Sequence, residues 1–250
     1  MSGHSKWHSI KHKKAAVDAK RGKVFTKIIR EITVAARMGG GDLESNPRLR
    51  TAISAARDAN MPKENIDRAI KRGTGELPGV NYEDVQYEGY GPGGVAIFVE
   101  ATTDNRNRIT AEIRHLFSRH NSNLGEAGCV SWMFSRKGSI LVNTENATED
   151  TLMEIGLDAG AEDIINNGDS YTIITPPNEQ EKIRKVLETR GIKIEESAEV
   201  MLPNTTVKIG KKDAESLLKL MNALEDHDDV MRVSANFDIS DEVLEEIGSE

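Results

Sequence analysis

A change in hydrophobic periodicity near residue 75 is the feature that most constrains how this chain folds. Before it, apolar residues recur at the spacing of one face of a helix. After it, short apolar segments typical of β-strands alternate with helical ones. Residues 73–80 lie at the change and contain three glycines and Pro78, so we interpret them as a linker. A helical part therefore comes first, and a part with both strands and helices follows it.

Three helices are predicted before the linker. The first carries the apolar residues Val24, Phe25, Ile28, Ile29, Ile32, Ala35 and Ala36 and stops at the glycines 39–41. The second begins after Asn46, a favourable N-cap residue, with Pro47 at the first helical position. The third opens at Pro62 and closes at Gly73. Short helices with brief connections predict a small helical domain over residues 23–75, preceded by a basic arm over residues 1–22.

Beyond the linker, the order of predicted elements is typical of α+β domains. Strands are expected at residues 85–88, 95–101, 130–134, 139–142, 162–166, 171–174, 193–201, 207 and 230–235. Helices are expected after an N-cap at Asp104 and over residues 149–159, 178–190 and 211–224, and the acidic residues 241–250 are expected to be a frayed tail. The predicted fold class is α+β multidomain, with a three-helix domain followed by two domains of the split β-α-β, ferredoxin-like type.

One α+β domain is expected to be inserted in the other. Residues 131–203 contain a complete set of strands and helices, whereas the elements after residue 203 are too few to bury a core alone. We therefore expect residues 204–240 to pack back on residues 80–130 as one discontinuous domain. Residues 131–203 would form the inserted domain.

Charge is distributed very unevenly along the chain. Residues 6–30 hold nine Lys or Arg and one acidic residue, Asp18, in a chain whose formal net charge is −8. Residues 6–72 carry 17 basic and 7 acidic residues, and residues 73–250 carry 16 basic and 34 acidic ones. An acidic body repels phosphate, so any contact with nucleic acid is expected at the basic N-terminal part.

Lysines neutralise phosphates without reading sequence, and a Trp or His ring can stack on an unpaired base. The predicted nucleic-acid-binding residues are Lys6, Trp7, Lys11, His12, Lys13, Lys14, Lys20, Arg21, Lys23, Lys27 and Arg30. The alternative interpretation is a solvated basic arm. A second candidate patch consists of Arg106, Arg108 and Arg119, for which an intrahelical charge network with Glu112 is the alternative.

The sequence disfavours several other classes of protein. The single cysteine, Cys129, cannot form an internal disulfide or a cysteine-rich zinc site. His4, His8 and His12 share one helical face, but neighbouring lysines oppose a cation, so we expect no metal and no cofactor. Should Met1 be removed, the start Ser2-Gly3-His4 has the chemical capacity to chelate Cu(II) or Ni(II). A copper titration that gave the same binding for the protein and for His4→Ala would disprove this hypothesis.

Two further absences bear on function and location. No nucleophile with a partnering base and no metalloprotease or P-loop motif occurs, so an enzyme is not expected. No apolar run approaches the ~20 residues that span a bilayer, and the N-terminal residues are too basic for a signal peptide. We therefore expect a cytoplasmic protein without a membrane segment.

Several stretches resemble the YebC/PmpR family closely. They include MSGHSKW at residues 1–7, IKHKK at 10–14, Asp18, KRGK at 20–23, REI at 30–32, GYGPGG at 89–94, TDNRNR at 103–108 and residues 125–134. The resemblance spans essentially the whole chain. It implies a helical N-terminal domain and two α+β domains in a protein described in bacteria mostly as a DNA-binding transcriptional regulator. Relatives, including a mitochondrial translational activator, are described as ribosome-associated factors that help synthesis of proline-rich chains.

The expected function is therefore a non-enzymatic regulator that binds nucleic acid, with DNA and transcription placed first. Binding of ribosomal RNA in translation is the alternative. A basic arm that orders on binding suits RNA and ribosomes well, whereas the resemblance favours DNA. The sequence does not assign an oligomeric state or a role for the acidic α+β domains.

Overall fold

The structure is a computed structural model of the chain and describes residues 17–248, except for the side chains of residues 17–21, 241, 244, 245 and 248. Its first elements, in chain order, are α1 (Val17–Gly39), α2 (Pro47–Asp58), α3 (Lys63–Gly73), β1 (Glu83–Tyr90), β2 (Ala96–Thr103), α4 (Arg106–Arg119), β3 (Asn123–Leu124) and β4 (Phe134–Asn143). They are followed by α5 (Glu149–Ala159), β5 (Asp163–Asn166), β6 (Ser170–Thr175), α6 (Gln180–Thr189), β7 (Glu196–Pro203) and β8 (Val207–Lys208). The last are α7 (Lys211–Glu225), β9 (Val230–Ala235), β10 (Phe237–Asp238) and α8 (Asp241–Gly248).

Packing divides the described residues into two compact units. The first unit consists of residues 17–129 and 212–233, and the second of residues 130–211 and 234–248. The bundle α1–α3 and the sheet that follows it lie in the same unit. The finer division into an arm (1–22), a helical domain (23–75), a discontinuous domain (80–130 plus 204–240) and an inserted domain (131–203) stays a prediction.

The three helices predicted before the linker are confirmed. Their shared core contains Ile32, Leu49, Ile53, Ile66 and Ala69 together with other buried apolar residues. Helix α1 begins at Val17, earlier than predicted, so residues 17–22 of the predicted arm have helical backbone.

Contacts within the bundle fix the directions of its helices. Asn46 at the start of α2 donates to the carbonyl of Ala35 near the end of α1, and Arg48 binds Glu31 one turn earlier, so α2 runs antiparallel to α1. Thr33 donates to the carbonyl of Ala69, and a Cβ on Gly73 would lie 2.7 Å from that of Ala36, so α3 runs parallel to α1. The turn between α2 and α3 therefore lies at the N-terminal end of α1.

The first unit contains a four-stranded sheet with the order β3-β1-β2-β9. Strands β1 and β2, both predicted as strands, pair as an antiparallel hairpin. Its turn uses Gly93 and Gly94, both with positive φ, a conformation that glycine adopts without steric cost. Strand β9, 127 positions after the end of β2, joins this sheet. A strand from the C-terminal part of the chain thus completes the sheet that β1, β2 and β3 form.

The second unit contains a four-stranded sheet with the order β5-β6-β4-β7, and all of its pairs are antiparallel. This is the strand order of the split β-α-β fold that the sequence predicted. Its core includes Ile140, Val142, Leu152, Ile173 and Ile183. In the same unit, β8 and β10 form a short parallel pair.

Several local predictions were wrong. The N-cap of α4 is Asn105, whose side chain accepts from the backbone N–H of Arg108, and not Asp104, which binds the Arg108 guanidinium. The predicted strand at residues 130–134 is a 3-10 turn at Ser131–Met133, after which β4 begins. The predicted frayed tail contains α8. Within residues 17–248, no helix is both long and apolar enough to cross a membrane.

Candidate nucleic-acid interface

The predicted interface falls only partly within the described residues. Six of its members lie outside them: Lys6, Trp7, Lys11, His12, Lys13 and Lys14. Lys20 and Arg21 lie on α1, but their side chains are not described. Lys23, Lys27 and Arg30 are described in full and occupy successive turns of one face of α1.

These three cations bind the last residue of α7 and the segment that follows it. Lys23 Nζ donates to the carbonyl of Asp226 over 3.1 Å, and Lys27 Nζ donates to the carbonyl of Glu225 over 2.8 Å. Arg30 Nη1 donates to the carbonyl of Asp228 over 2.7 Å. The last carbonyls of a helix have no partner within the helix and carry partial negative charge. The basic face of α1 therefore caps the C-terminal end of α7.

Asp229 lies at the centre of this contact and is fully buried. Its Oδ1 accepts from Arg30 Nη1 over 2.6 Å, and its Oδ2 accepts from Arg108 Nη2 over 2.7 Å and from Thr103 Oγ1 over 2.8 Å. The backbone carbonyl of Asp229 accepts from the N–H of Thr102. One carboxylate thus joins α1, the end of β2 and α4.

The surroundings of Asp229 favour its charged form. Burial raises the pKa of the Asp229 carboxyl, but the hydrogen bond from Thr103 and the charges of Arg30 and Arg108 outweigh it, so the pKa lies below its usual value.

The backbone N–H of Asp229 donates to Nδ1 of His227. Because Nδ1 accepts, the proton of a neutral His227 sits on Nε2, which lies 2.9 Å from a carboxylate oxygen of Glu112.

The second candidate patch, like the first, contains both cations that the protein binds and cations that are exposed. In addition to Asp229, Arg108 binds Asp104, which precedes the N-cap of α4, at 2.8 Å, and lies 3.9 Å from Glu112 within the same helix. It therefore takes part in the charge network that the sequence offered as the alternative. Arg106 and Arg119 are exposed on the same helix.

Three more cations of the bundle are held by the protein itself. Arg48 binds both carboxylate oxygens of Glu31, at 2.7 and 3.0 Å, and reaches Asp84 at 2.8 Å. Arg37 donates to the carbonyls of Val80, at the end of the linker, and Tyr82, just beyond it. Arg50 donates to the carbonyl of Glu44 over 2.9 Å.

Five other cations of the bundle are exposed: Arg57, Lys63, Arg68, Lys71 and Arg72. Among residues 17–248, none of these five side chains has a hydrogen-bond or ion-pair partner. The charge count along the sequence favoured the cations of residues 6–30 over these five as contacts to nucleic acid. The helical spacing of residues 63–73 places Arg68 and Lys71 opposite the buried Ile66 and Ala69, and that pattern was the signal that could have singled out this surface.

Comparison with known proteins decides the family. Residues 5–76 match the family described as "TACO1/YebC protein N-terminal domain". Residues 82–237 match "TACO1/YebC second and third domain". The chain belongs to the TACO1/YebC family. The resemblance that the sequence motifs indicated is therefore confirmed over nearly the whole chain.

Similar members of the family carry a regulatory name. A "Probable transcriptional regulatory protein" of Syntrophobacter fumaroxidans is 60% identical over 99% of this chain and 100% of its own length. A protein of Desulforapulum autotrophicum with the same description is 56% identical over 98% of this chain and 99% of its own. A conserved hypothetical protein from Aquifex aeolicus, known from a crystal structure, is 53% identical and superposes with a TM-score of 0.87 over 94% of this chain and 97% of its own.

In this member of the TACO1/YebC family, no group of three His, Cys, Asp or Glu side chains among the described residues is placed to hold a metal ion. The histidines 4, 8 and 12 lie outside those residues. Burial raises the pKa of the Cys129 thiol, and the charges of Glu88 and Glu126 act in the same direction. A thiol held in its protonated form is a poor nucleophile.

Proposed function

We propose that the protein is a non-enzymatic regulator that binds nucleic acid, with DNA and the control of transcription as the leading target and role. The observation that carries the proposal is the segregation of charge. Nine basic residues stand against one acidic residue over residues 6–30 in a chain of net charge −8. Such a basic segment beside an acidic body is suited to a polyanion, and nucleic acid is the commonest one.

The names of the relatives support the same role. Proteins that align over their full length are described as transcriptional regulatory proteins. Regulation of transcription requires contact with DNA or with a protein bound to it. The basic N-terminal part supplies the phosphate-neutralising groups that a DNA contact needs.

Within this function, the residues before α1 make the main contacts. Lys6, Lys11, Lys13 and Lys14 neutralise phosphates, and Trp7 with His12 supplies rings for stacking. Lys20, Arg21 and Lys23 extend the basic surface along the first turns of α1. Lys27 and Arg30 first serve the protein itself, because Lys27 binds the last residue of α7 and Arg30 binds the segment after it.

Ribosomal RNA is the second candidate target. The observation that favours it is the sequence of the basic segment, residues 6–23, which has almost no apolar stripe with which a groove-reading helix would pack on its own domain. Basic segments of this kind serve RNA complexes well, because they follow a phosphate backbone of irregular shape.

Sedimentation of a cell lysate through sucrose gradients at two salt concentrations tests the two targets. For the leading proposal, we expect the protein to remain free of ribosomes and the purified protein to retard promoter DNA at physiological salt. Migration with ribosomes that weakens as salt is raised would favour ribosomal RNA. A protein that binds neither DNA nor ribosomes would contradict both forms of the proposal.

A further inference from the structure

The cations of the bundle fall into two classes. Those that face the rest of the first unit are bound by its carbonyls and carboxylates, as the contacts of Lys27 with Glu225, Arg30 with Asp229 and Arg48 with Asp84 show. Those on the outer face of α3 and at the end of α2 are exposed, and no partner for their side chains lies within residues 17–248. A cation with no internal acceptor remains available to an external one.

The exposed cations of α3 are arranged as a surface. Ile66, Ala69 and Gly73 mark the buried side of the helix. Arg68, Lys71 and Arg72 are spaced at i, i+3 and i+4, which brings neighbouring Cβ atoms to about 5–6 Å on one exposed side. All three side chains are exposed. They form a compact cluster with three positive charges.

Acidic residues on the same helix do not cancel this cluster. Glu64 and Asp67 lie in the first half of α3, four positions before Arg68 and Lys71. Although this spacing allows ion pairs, neither forms one within the part of the chain that the structure describes. The cationic groups of Arg68, Lys71 and Arg72 are therefore not held by a carboxylate of their own helix.

The direction of the helices connects α3 with the basic N-terminal segment. The turn between α2 and α3 lies at the N-terminal end of α1, since α2 runs antiparallel and α3 parallel to it. Arg57, at the end of α2, and Lys63, at the start of α3, flank this turn. They therefore lie toward the N-terminal end of α1, the helix that follows the basic N-terminal segment in the sequence.

We propose that Arg57, Lys63, Arg68, Lys71 and Arg72 form a second phosphate-binding surface, here named the α3 surface, that holds the backbone of the nucleic acid bound by the N-terminal segment. This inference rests on the proposed function and adds a second contact region to it. Arginine engages phosphate through paired N–H donors, and lysine engages it as a point charge. The surface positions the nucleic acid without reading its sequence.

A salt titration of binding tests the inference. The probes are a fluorescein-labelled DNA duplex of arbitrary sequence and a labelled RNA hairpin, each bound to the full chain and followed by fluorescence anisotropy. Each phosphate contact contributes about 0.9 to the slope of log affinity against log salt for duplex DNA, so Arg68→Gln/Lys71→Gln/Arg72→Gln should lower the slope by about two to three. The duplex and the hairpin distinguish DNA from RNA as the source of the phosphates.

The matched control changes three exposed lysines of the second unit by the same charge, as Lys182→Gln/Lys185→Gln/Lys193→Gln. It should leave the slope unchanged. A slope that falls equally in both variants would overturn the inference, because net charge alone would then explain it. An unchanged slope in the α3 variant, together with a lowered slope in Lys11→Gln/Lys13→Gln/Lys14→Gln, would overturn the α3 surface and leave the proposed function standing. No binding by the unaltered protein would overturn both.

Lysine acetylation of the unaltered protein gives a second readout that does not depend on a variant folding. With DNA or RNA bound, Lys63 and Lys71 should be acetylated several-fold more slowly, whereas Lys182 and Lys193 should react as in the free protein. Equal reactivity of Lys63 and Lys71 with and without nucleic acid would contradict the inference. Protection by an acidic peptide alone would overturn it in favour of a protein partner.

Discussion

Asp229 shows how one side chain determines the role of several cations. It accepts hydrogen bonds from Arg30, Arg108 and Thr103 while fully buried. Loss of one member of a buried ion pair leaves the other charge without compensation, which costs more than the pair contributes. The carboxylate of Asp229 is therefore required to compensate the charges of Arg30 and Arg108 at their present positions.

Replacing Asp229 by Ala should destabilise the protein strongly. We expect a loss of about 2–4 kcal/mol in the free energy of unfolding, somewhat below the value for fully buried pairs because Arg108 is partly exposed. Urea denaturation followed by circular dichroism measures it. Asp228→Ala is the control, because Asp228 is exposed and offers Arg30 only its backbone carbonyl, and it should change stability by less than about 0.5 kcal/mol. Equal effects of the two substitutions would refute this role for Asp229.

The same carboxylate predicts a dependence of stability on pH. Because the pKa of Asp229 is lower in the folded protein than in the unfolded chain, its charge stabilises the fold above the unfolded value of about 3.9 and ceases to do so as pH falls through the folded pKa. The difference in stability between the protein and Asp229→Asn should therefore be largest near neutral pH and shrink in acid. A difference that stayed constant from neutral pH to below about pH 4 would contradict the assignment.

At the scale of elements, Asn46 connects two helices. Its Oδ1 accepts from the N–H of Leu49 at the start of α2, and its Nδ2 donates to the carbonyls of Ala35 and Gly40 at the end of α1. Gly39 lies directly against this amide, because a Cβ there would come within 2.7 Å of Nδ2. A single buried amide thus satisfies groups at both helix ends.

Substitutions at Asn46 should separate these two roles. Asn46→Ala removes the cap and both donated bonds, and we expect a loss of about 2–3 kcal/mol. Asn46→Ser keeps an N-cap oxygen and should recover about 1 kcal/mol of that loss. Thermal unfolding of the three proteins measures both effects. If Ser and Ala destabilised equally, the capping bond would contribute nothing.

The cations of α1 lead to a prediction about function at this scale. Lys27 binds the carbonyl of Glu225 at the end of α7, so Lys27→Gln should lower the midpoint of thermal unfolding. Because that bond occupies the ammonium group, the salt dependence of nucleic-acid binding should change by less than about 0.5 in slope. Anisotropy titrations at several salt concentrations measure the slope. A fall of about 0.9, with unchanged stability, would instead make Lys27 a phosphate contact.

Elements with strong local signals were predictable from the sequence. The stripe Leu49, Ala52, Ile53 and Ala56 and the pair Asn46-Pro47 predicted α2, and helix α5 has the predicted bounds. The 3-10 turn before β4 was missed, since Trp132 and Met133 have the composition of a strand. At α4, two adjacent residues are both good N-caps, and the sequence does not distinguish Asn105, which caps the helix, from Asp104, which binds the Arg108 guanidinium.

At the scale of the whole molecule, the sequence identifies the basic part of the chain but not which cations are available to a partner. Lys23, Lys27 and Arg30 bind residues about 200 positions away, and no local pattern reveals such partners. The structure also brings β9 into the sheet begun by β1 and β2. Contacts between distant segments thus distinguish cations that hold the fold together from those of the α3 surface.

The account as a whole depends on direct contact between the basic N-terminal segment and phosphate. The most direct measurement is the slope of log affinity against log salt for duplex DNA, compared between the full chain and Lys11→Gln/Lys13→Gln/Lys14→Gln. Removal of three phosphate contacts should lower the slope by about two to three. A slope that the triple substitution leaves unchanged would contradict the central claim that this segment binds nucleic acid.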